Sequence, residues 1–198
     1  MAVLLENIRH FVAVRVYAGF ASEPEVVVRA IDDWECSWEE DGRPPADLRA
    51  FVERTTGELF EQHRREQARW PERTDCDRLD AAFAELDGLG ILARQNYEQT
   101  LTSGCAAIEA EAARERSRRP VLGFVFFHEQ DTESAVCWNS GPSLAWGAFE
   151  DGDEAWRRVA QAITEVLGRH GIKSEWRGAS NSRIFITGLR WRRRRPAR

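Results

Sequence analysis

The stretch Val121 to Glu133, Val-Leu-Gly-Phe-Val-Phe-Phe-His-Glu-Gln-Asp-Thr-Glu, constrains the fold more than any other part of the chain. An apolar run of strand length ends abruptly in His, Glu and Asp. A buried strand therefore delivers ionisable groups to the edge of a sheet, where open α/β proteins place ligands. His128, Glu129, Asp131 and Glu133 mark the first place to look for function.

The rest of the chain supplies the layers for such a sheet. Residues 1–70 read as helices: Ala2 to Tyr17 with Leu4, Ile8, Phe11 and Val12 on one face, then a helix opened by Ser22-Glu-Pro-Glu25. That second helix carries the stripe Val27, Ile31, Trp34, Trp38. Asp41 to Pro45 breaks it, and a third helix runs from about Pro45 to Arg69 with Leu48, Phe51, Val52, Thr55 and Leu59 inward. The last third of this helix, from Glu61, is polar almost all round and is expected to project or fray. Trp70-Pro71 is the expected boundary.

Beyond it, Thr74-Asp-Cys-Asp77 starts a helix with Leu79, Ala82, Phe83 and Leu86 facing in, followed by a strand from Ile91 to Arg94. A helix after Ser103-Gly104, closed by Pro120, leads to the strand 121–128. Asp131 is placed to cap a short helix. A strand from Ser143 to Phe149, a helix from Asp153 to His170 and a final hairpin of two strands, Ile172 to Trp176 and Arg183 to Thr187, complete the pattern. Gly171 and Ile172 suit the C′ and C″ positions after the last helix. The expected class is α/β (α+β): a helical N-terminal region (1–70), a roughly five-stranded mixed sheet with packed helices (71–190), and a basic tail (191–198).

Composition narrows the function classes. Apolar and charged fractions of 42% and 31% are those of a folded protein. No apolar run reaches the roughly 20 residues that span a bilayer, and the N-terminus has no basic n-region, so a cytoplasmic protein without a membrane partner is expected. The four cysteines lie 29 to 40 residues apart without a C-x-x-C pair, as suits free thiols rather than a disulfide framework or a zinc site. No metal and no cofactor is expected. Removing the six arginines of residues 190–198 takes the formal net charge from −5 to −11. An acidic body argues against a nucleic-acid sleeve; Arg190, Arg192, Arg193, Arg194 and Arg195 offer at most a non-specific contact and read as a solvated end. The helix at 75–86 followed by a strand has a winged-helix outline, but it shows Asp75, Asp77, Asp80, Glu85 and Asp87 against one Arg78, which phosphate would repel.

Three segments together resemble a bacterial family of unknown function: Thr74-Asp-Cys-Asp-Arg-Leu-Asp-Ala-Ala-Phe83, Gly-Ile-Leu-Ala-Arg-Gln-Asn96, and Gly123-Phe-Val-Phe-Phe-His-Glu-Gln-Asp-Thr-Glu133. Its members share a TDCDRLDAAF, a GIVARQN and a GYVFYHxQDTE stretch. The resemblance covers most of residues 70–195, more loosely the N-terminal helices, and implies no activity. Relatives often carry a Cys-Cys-x-x-Cys-Gly-His cluster after the second motif. Here Gln99, Thr100, Ser103, Gly104 and Cys105 stand there, so a thiolate-metal role is lost from this chain.

Two families of candidate residues follow. His128, Asp131 and Glu133 are the candidate catalytic set, as a metal site or an acid/base pair. Against that, Asp131 caps a helix and His128 hydrogen-bonds at the strand end. Cys105, near a helix start, makes a weaker thiol nucleophile with His128 as base. Tyr97, Cys105, Trp138, Trp146 and Trp176 are the candidate ligand-binding set, aromatic walls for a pocket. P-loop, dinucleotide, G-x-S-x-G and H-E-x-x-H signatures are absent. The leading expectation is a non-enzymatic binding or interaction module whose α/β domain takes a protein partner or small molecule. The alternatives are a hydrolase or metal-dependent enzyme around His128, and nucleic-acid contact through the tail.

Overall fold

A computed structural model describes residues 2–37, 47–180 and 182–195. Trp38 and the break at Asp41 to Pro45 lie outside the described residues, as do the side chain of Leu4 and the last three residues. The chain divides into two compact units, one formed by the segment up to Glu72 with the segment from Arg192, the other by Arg73–Trp191.

The first unit holds α1 (Ala2–Ala18), α2 (Glu23–Ser37) and α3 (Leu48–Gln67). Ile8, Val12 and Val16 of α1 meet Val26, Ala30 and Ile31 of α2 and Val52, Leu59 and Phe60 of α3 in one core. Glu25 folds back on Ser22, accepting from its N–H at 2.7 Å and its hydroxyl at 2.6 Å, so the sequence signature does mark the start of α2. The buried stripe of α2 holds Ile31 as expected and adds Val26 and Ala30, while Val27 and Trp34 are half-buried.

The polar end of α3 neither projects nor frays. Helix continues to Gln67, and His63 is fully buried between the rings of Tyr17 and Trp70, with centroids at 5.4 and 5.2 Å. What covers it is the basic tail. Arg195 donates to the carbonyls of Val16 and Ala21 and lies 4.1 Å over the Phe60 ring. Gln67 grips the Arg195 backbone through both amide atoms, Arg193 stacks 4.1 Å over Phe20, and Arg194 bonds the Pro71 carbonyl. The Arg195 guanidinium thus satisfies the Val16 carbonyl in the last turn of α1, where helix carbonyls lack partners and the dipole favours cations. The expectation of a solvated tail does not hold for Arg193 to Arg195.

The second unit is an α/β fold: α4 (Asp75–Gly88), β1 (Ile91–Arg94), α5 (Leu101–Glu115), β2 (Gly123–Phe126), α6 (Glu129–Trp138), β3 (Ser143–Ala148), α7 (Asp153–Arg169), β4 (Lys173–Trp176) and β5 (Ile184–Thr187). The sheet order is β1-β2-β3-β5-β4, with β1 and β2 parallel and the other pairs antiparallel. Period-two alternation sorts the side chains. Leu92, Phe126 and Ala145 face α5, packing on Ile108 and Ala112. Gly123 and Trp146 face α7, against Val159 and Trp156.

Local chemistry sets the helix ends. Thr74 and Asp77 form a reciprocal capping box at α4, whose Leu79, Ala82, Phe83 and Leu86 are all buried. After α7, Gly171 adopts φ +73, and the Ile172 N–H reaches the Leu167 carbonyl at 2.9 Å, closing a Schellman turn.

Candidate functional site

The C-terminal ends of the parallel strands bring two of the sequence motifs together. The Tyr97 N–H donates to the Phe127 carbonyl at 2.9 Å, and the Glu129 N–H donates to the Glu98 carbonyl at 3.0 Å. The loop after β1 is thereby laced to the corner after β2. The residues on either side of Tyr97, Asn96 and Glu98, take left-handed φ of 51 and 59. Each costs on the order of 1 kcal/mol relative to an ordinary conformation, so the lacing is what holds them.

His128 is the N-cap of α6. Its Nδ1 accepts from the Asp131 N–H at 3.4 Å, and the Asp131 carboxylate accepts from the His128 N–H at 3.2 Å. This is a capping box with imidazole where Ser or Thr usually stands. Asp131 is therefore not the cap that its sequence position suggests. It occupies the third helical position and folds back. The expected strand alternation past His128 gives way because helix begins at Glu129.

Arg183, immediately before β5, completes the corner. It donates to Asp131 Oδ2 at 2.5 Å and to the Ser143 carbonyl at 2.6 Å, with its other terminal nitrogen 3.5 Å from His128 Nε2. His128 Nε2 also lies 3.1 Å from Asp131 Oδ2. Because Nδ1 accepts, the ring proton belongs on Nε2, where it is shared with that carboxylate. Burial pushes the His128 pKa down; Asp131 opposes the shift and Arg183 adds to it. The imidazole is therefore neutral at neutral pH, its one lone pair is committed to a backbone N–H, and the residue is 5% exposed. A general base needs a lone pair within reach of a substrate proton. Through Arg183 the geometry ties the start of α6 to β3 and to the residue before β5.

The other candidate residues scatter. Glu133 is two positions past Asp131 on α6, hence on another face, and its charge is felt by Cys137. Cys105 sits one turn into α5; burial first, then Glu109, push its thiol pKa up, against a smaller pull from Arg183. A nucleophilic thiol needs the opposite shift. Tyr97 donates its hydroxyl to Glu111 at 3.0 Å, and burial with that carboxylate pushes its pKa up to about 12. Glu111 is also gripped by Arg94, which reaches Asp87 at 2.6 Å. Trp138 is 81% exposed at the end of α6. Trp146 and Trp176 do meet, edge to face at 5.6 Å, with Trp156 at the same spacing from Trp146. The expected single pocket from all five residues does not form. The sheet forbids it, since Trp146 and Trp176 lie on the α7 side while Tyr97 and Cys105 pack on the α5 side.

Among the described residues, concavities lie elsewhere in this unit. A notch of about 260 Å³ is lined by Trp156 and Trp176, by Asp153 and Arg157, and by residues 178–180. A larger cavity of about 520 Å³ opens at the other end of the parallel strands, remote from His128 along β2. Ile91, Val121, Leu122, Phe149 and Val159 give it apolar walls, and Arg116, Glu150 and Arg158 stand on it. Sequence reasoning missed this cavity, because its wall comes from strand-end residues that are individually unremarkable. It also missed Arg183, which no local pattern joins to Asp131, 52 positions upstream. Among the described residues no three His, Cys, Asp or Glu side chains converge as ligands for a metal ion. No helix of the described residues is long and apolar enough to cross a membrane.

No solved structure matches the chain. Among curated proteins it is similar to a phosphopentomutase from Deinococcus radiodurans, 26% identical over 137 residues. That likeness covers 65% of this chain and 35% of the relative, so the chain spans about a third of that protein's length. A family profile matches residues 2–195, nearly the whole sequence and both units, and the chain belongs to that family, described as a domain of unknown function, DUF6891.

Proposed function

We propose that this chain is a non-enzymatic cytoplasmic binding module, and that its α/β unit holds a small molecule in the 520 Å³ cavity at the start of the parallel strands. One contrast carries the reading. The ionisable corner around His128 is sealed and internally paired, whereas the open concavity is apolar-walled and of ligand size, within the roughly 300–1,000 Å³ range of small-molecule sites. At the cavity itself the Phe149 N–H donates to the Leu122 carbonyl at 3.0 Å and holds the two residues side by side. The partial likeness to the phosphopentomutase reaches a third of that enzyme and supplies no second reading.

The test is binding of a neutral apolar fluorophore, N-phenyl-1-naphthylamine, to the full chain. Ala162→Trp, which puts an indole into the cavity, is expected to abolish the signal while His128→Asn leaves it unchanged. Fluorophore binding indifferent to Ala162→Trp would overturn the location. Turnover of an ester, phosphoester or glycoside panel that vanishes in His128→Ala would overturn the non-enzymatic assignment.

A further inference from the structure

The walls of the 520 Å³ cavity are apolar, but its charged groups are unequal. Arg116, the residue that closes α5, lies 4.5 Å over the face of Phe149, so its guanidinium is held at the mouth by a cation–π contact. Among the described residues no carboxylate pairs with it. Arg158 of α7 stands on the same cavity and reaches Glu150 at 2.7 Å, but both partners are mostly exposed, at 60% and 70%. An ion pair that wet is worth little, so an incoming anion can replace Glu150 with small loss. Glu150 is the lone acid among the described residues of the wall, against two guanidiniums. One arginine rests on an aromatic face and the other pairs in solvent.

Resting on the cavity reading above, we propose that this site takes an amphipathic anion, an aliphatic or aromatic body lying on Leu122, Phe149 and Val159 with one carboxylate turned to Arg116 and Arg158. The apolar walls exclude a highly charged phosphate ester, which would leave most of its charge facing hydrocarbon. A guanidinium can donate twice to a single carboxylate, through two parallel N–H···O bonds. A cation would meet two positive groups and one acid that is already paired.

The experiment displaces the neutral fluorophore from the full chain with octanoate, octanol and octylammonium, three probes that share a chain and differ in charge. Octanoate is expected to compete about tenfold better than octanol, and octylammonium worse than either, since a charge-assisted contact at a partly exposed site is worth about that factor. Arg116→Gln together with Arg158→Gln is expected to erase the preference for octanoate while octanol stays within about twofold. Both substitutions fall at solvent-facing side chains, so folding is preserved. Equal competition by octanoate and octanol would sink the anion assignment and leave the cavity reading standing. Failure of all three probes, with fluorophore binding also absent, would sink both. An octanoate preference that survives the double substitution would place the anion somewhere else and equally overturn the proposal.

Discussion

His128 shows how far a residue's job depends on which lone pair is free. Its Nδ1 closes the first turn of α6, so the substitution that matters is one that removes an acceptor. His128→Asn, which keeps a short acceptor in place, is expected to lose little stability in urea unfolding; His128→Ala should cost about 1–2 kcal/mol, the usual range for a lost cap. Arg183→Met is expected to cost more, about 2–4 kcal/mol, because it leaves Asp131 buried without its cation. His63 makes a separate prediction. Burial, then the charge of Arg195, push its pKa down to about 4, with Glu66 opposing. The unfolded chain, with a pKa near 6.5, binds more protons between those values, so stability is complete above pH 6.5 and falls as pH drops toward 4. A wild-type unfolding free energy that declines by up to about 3 kcal/mol across that window, and a flatter profile in His63→Phe, is the expected result. The sequence marks His128 as a hydrogen-bonding residue at the strand end but not as the cap, and it leaves His63 unmarked. Imidazole is an uncommon cap, and the tail that buries His63 is distant in sequence, Arg195 standing 128 positions beyond Gln67.

At the scale of elements, the sequence speaks where the interaction is local. The apolar faces of α4 and α7, the box at Thr74 and the glycine turn at Gly171 are written within a few residues of where they act, and the structure has them at those positions. The end of α3 misleads for the opposite reason: Gln62, Arg64 and Arg65 are exposed as they read, but His63 and Gln67 meet the distant tail. Tryptophan count points to a pocket but does not say which sheet face each ring takes. Gly171→Ala, at φ +73 with open space around it, is expected to cost about 1–2 kcal/mol through backbone conformation alone. Gly123→Ala fails for a different cause, because a methyl there runs into the Gly147 carbonyl oxygen of the neighbouring strand. Its cost is expected to fall at about 1–3 kcal/mol or beyond, with the loss read in thermal unfolding.

For the molecule as a whole, the α/β unit is an insertion within the helical one. Its closing residues are tied back into it, the Arg190 N–H donating to Asp75 at 3.0 Å and the Trp191 N–H to Asn139 at 3.0 Å. Arg195→Met, which keeps the apolar stem over Phe60 and deletes the donors to Val16 and Ala21, is expected to lower stability by about 1–3 kcal/mol. An unchanged melting temperature in that variant would return the tail to the solvent. The order in which the ribosome makes the chain then acquires meaning. Arg195 is translated 128 residues after Gln67, and until then the histidine of α3 lacks the charge and the backbone that cover it. A nascent chain that stops short of Arg193 therefore carries helices whose histidine has no cover, a surface that a chaperone can recognise.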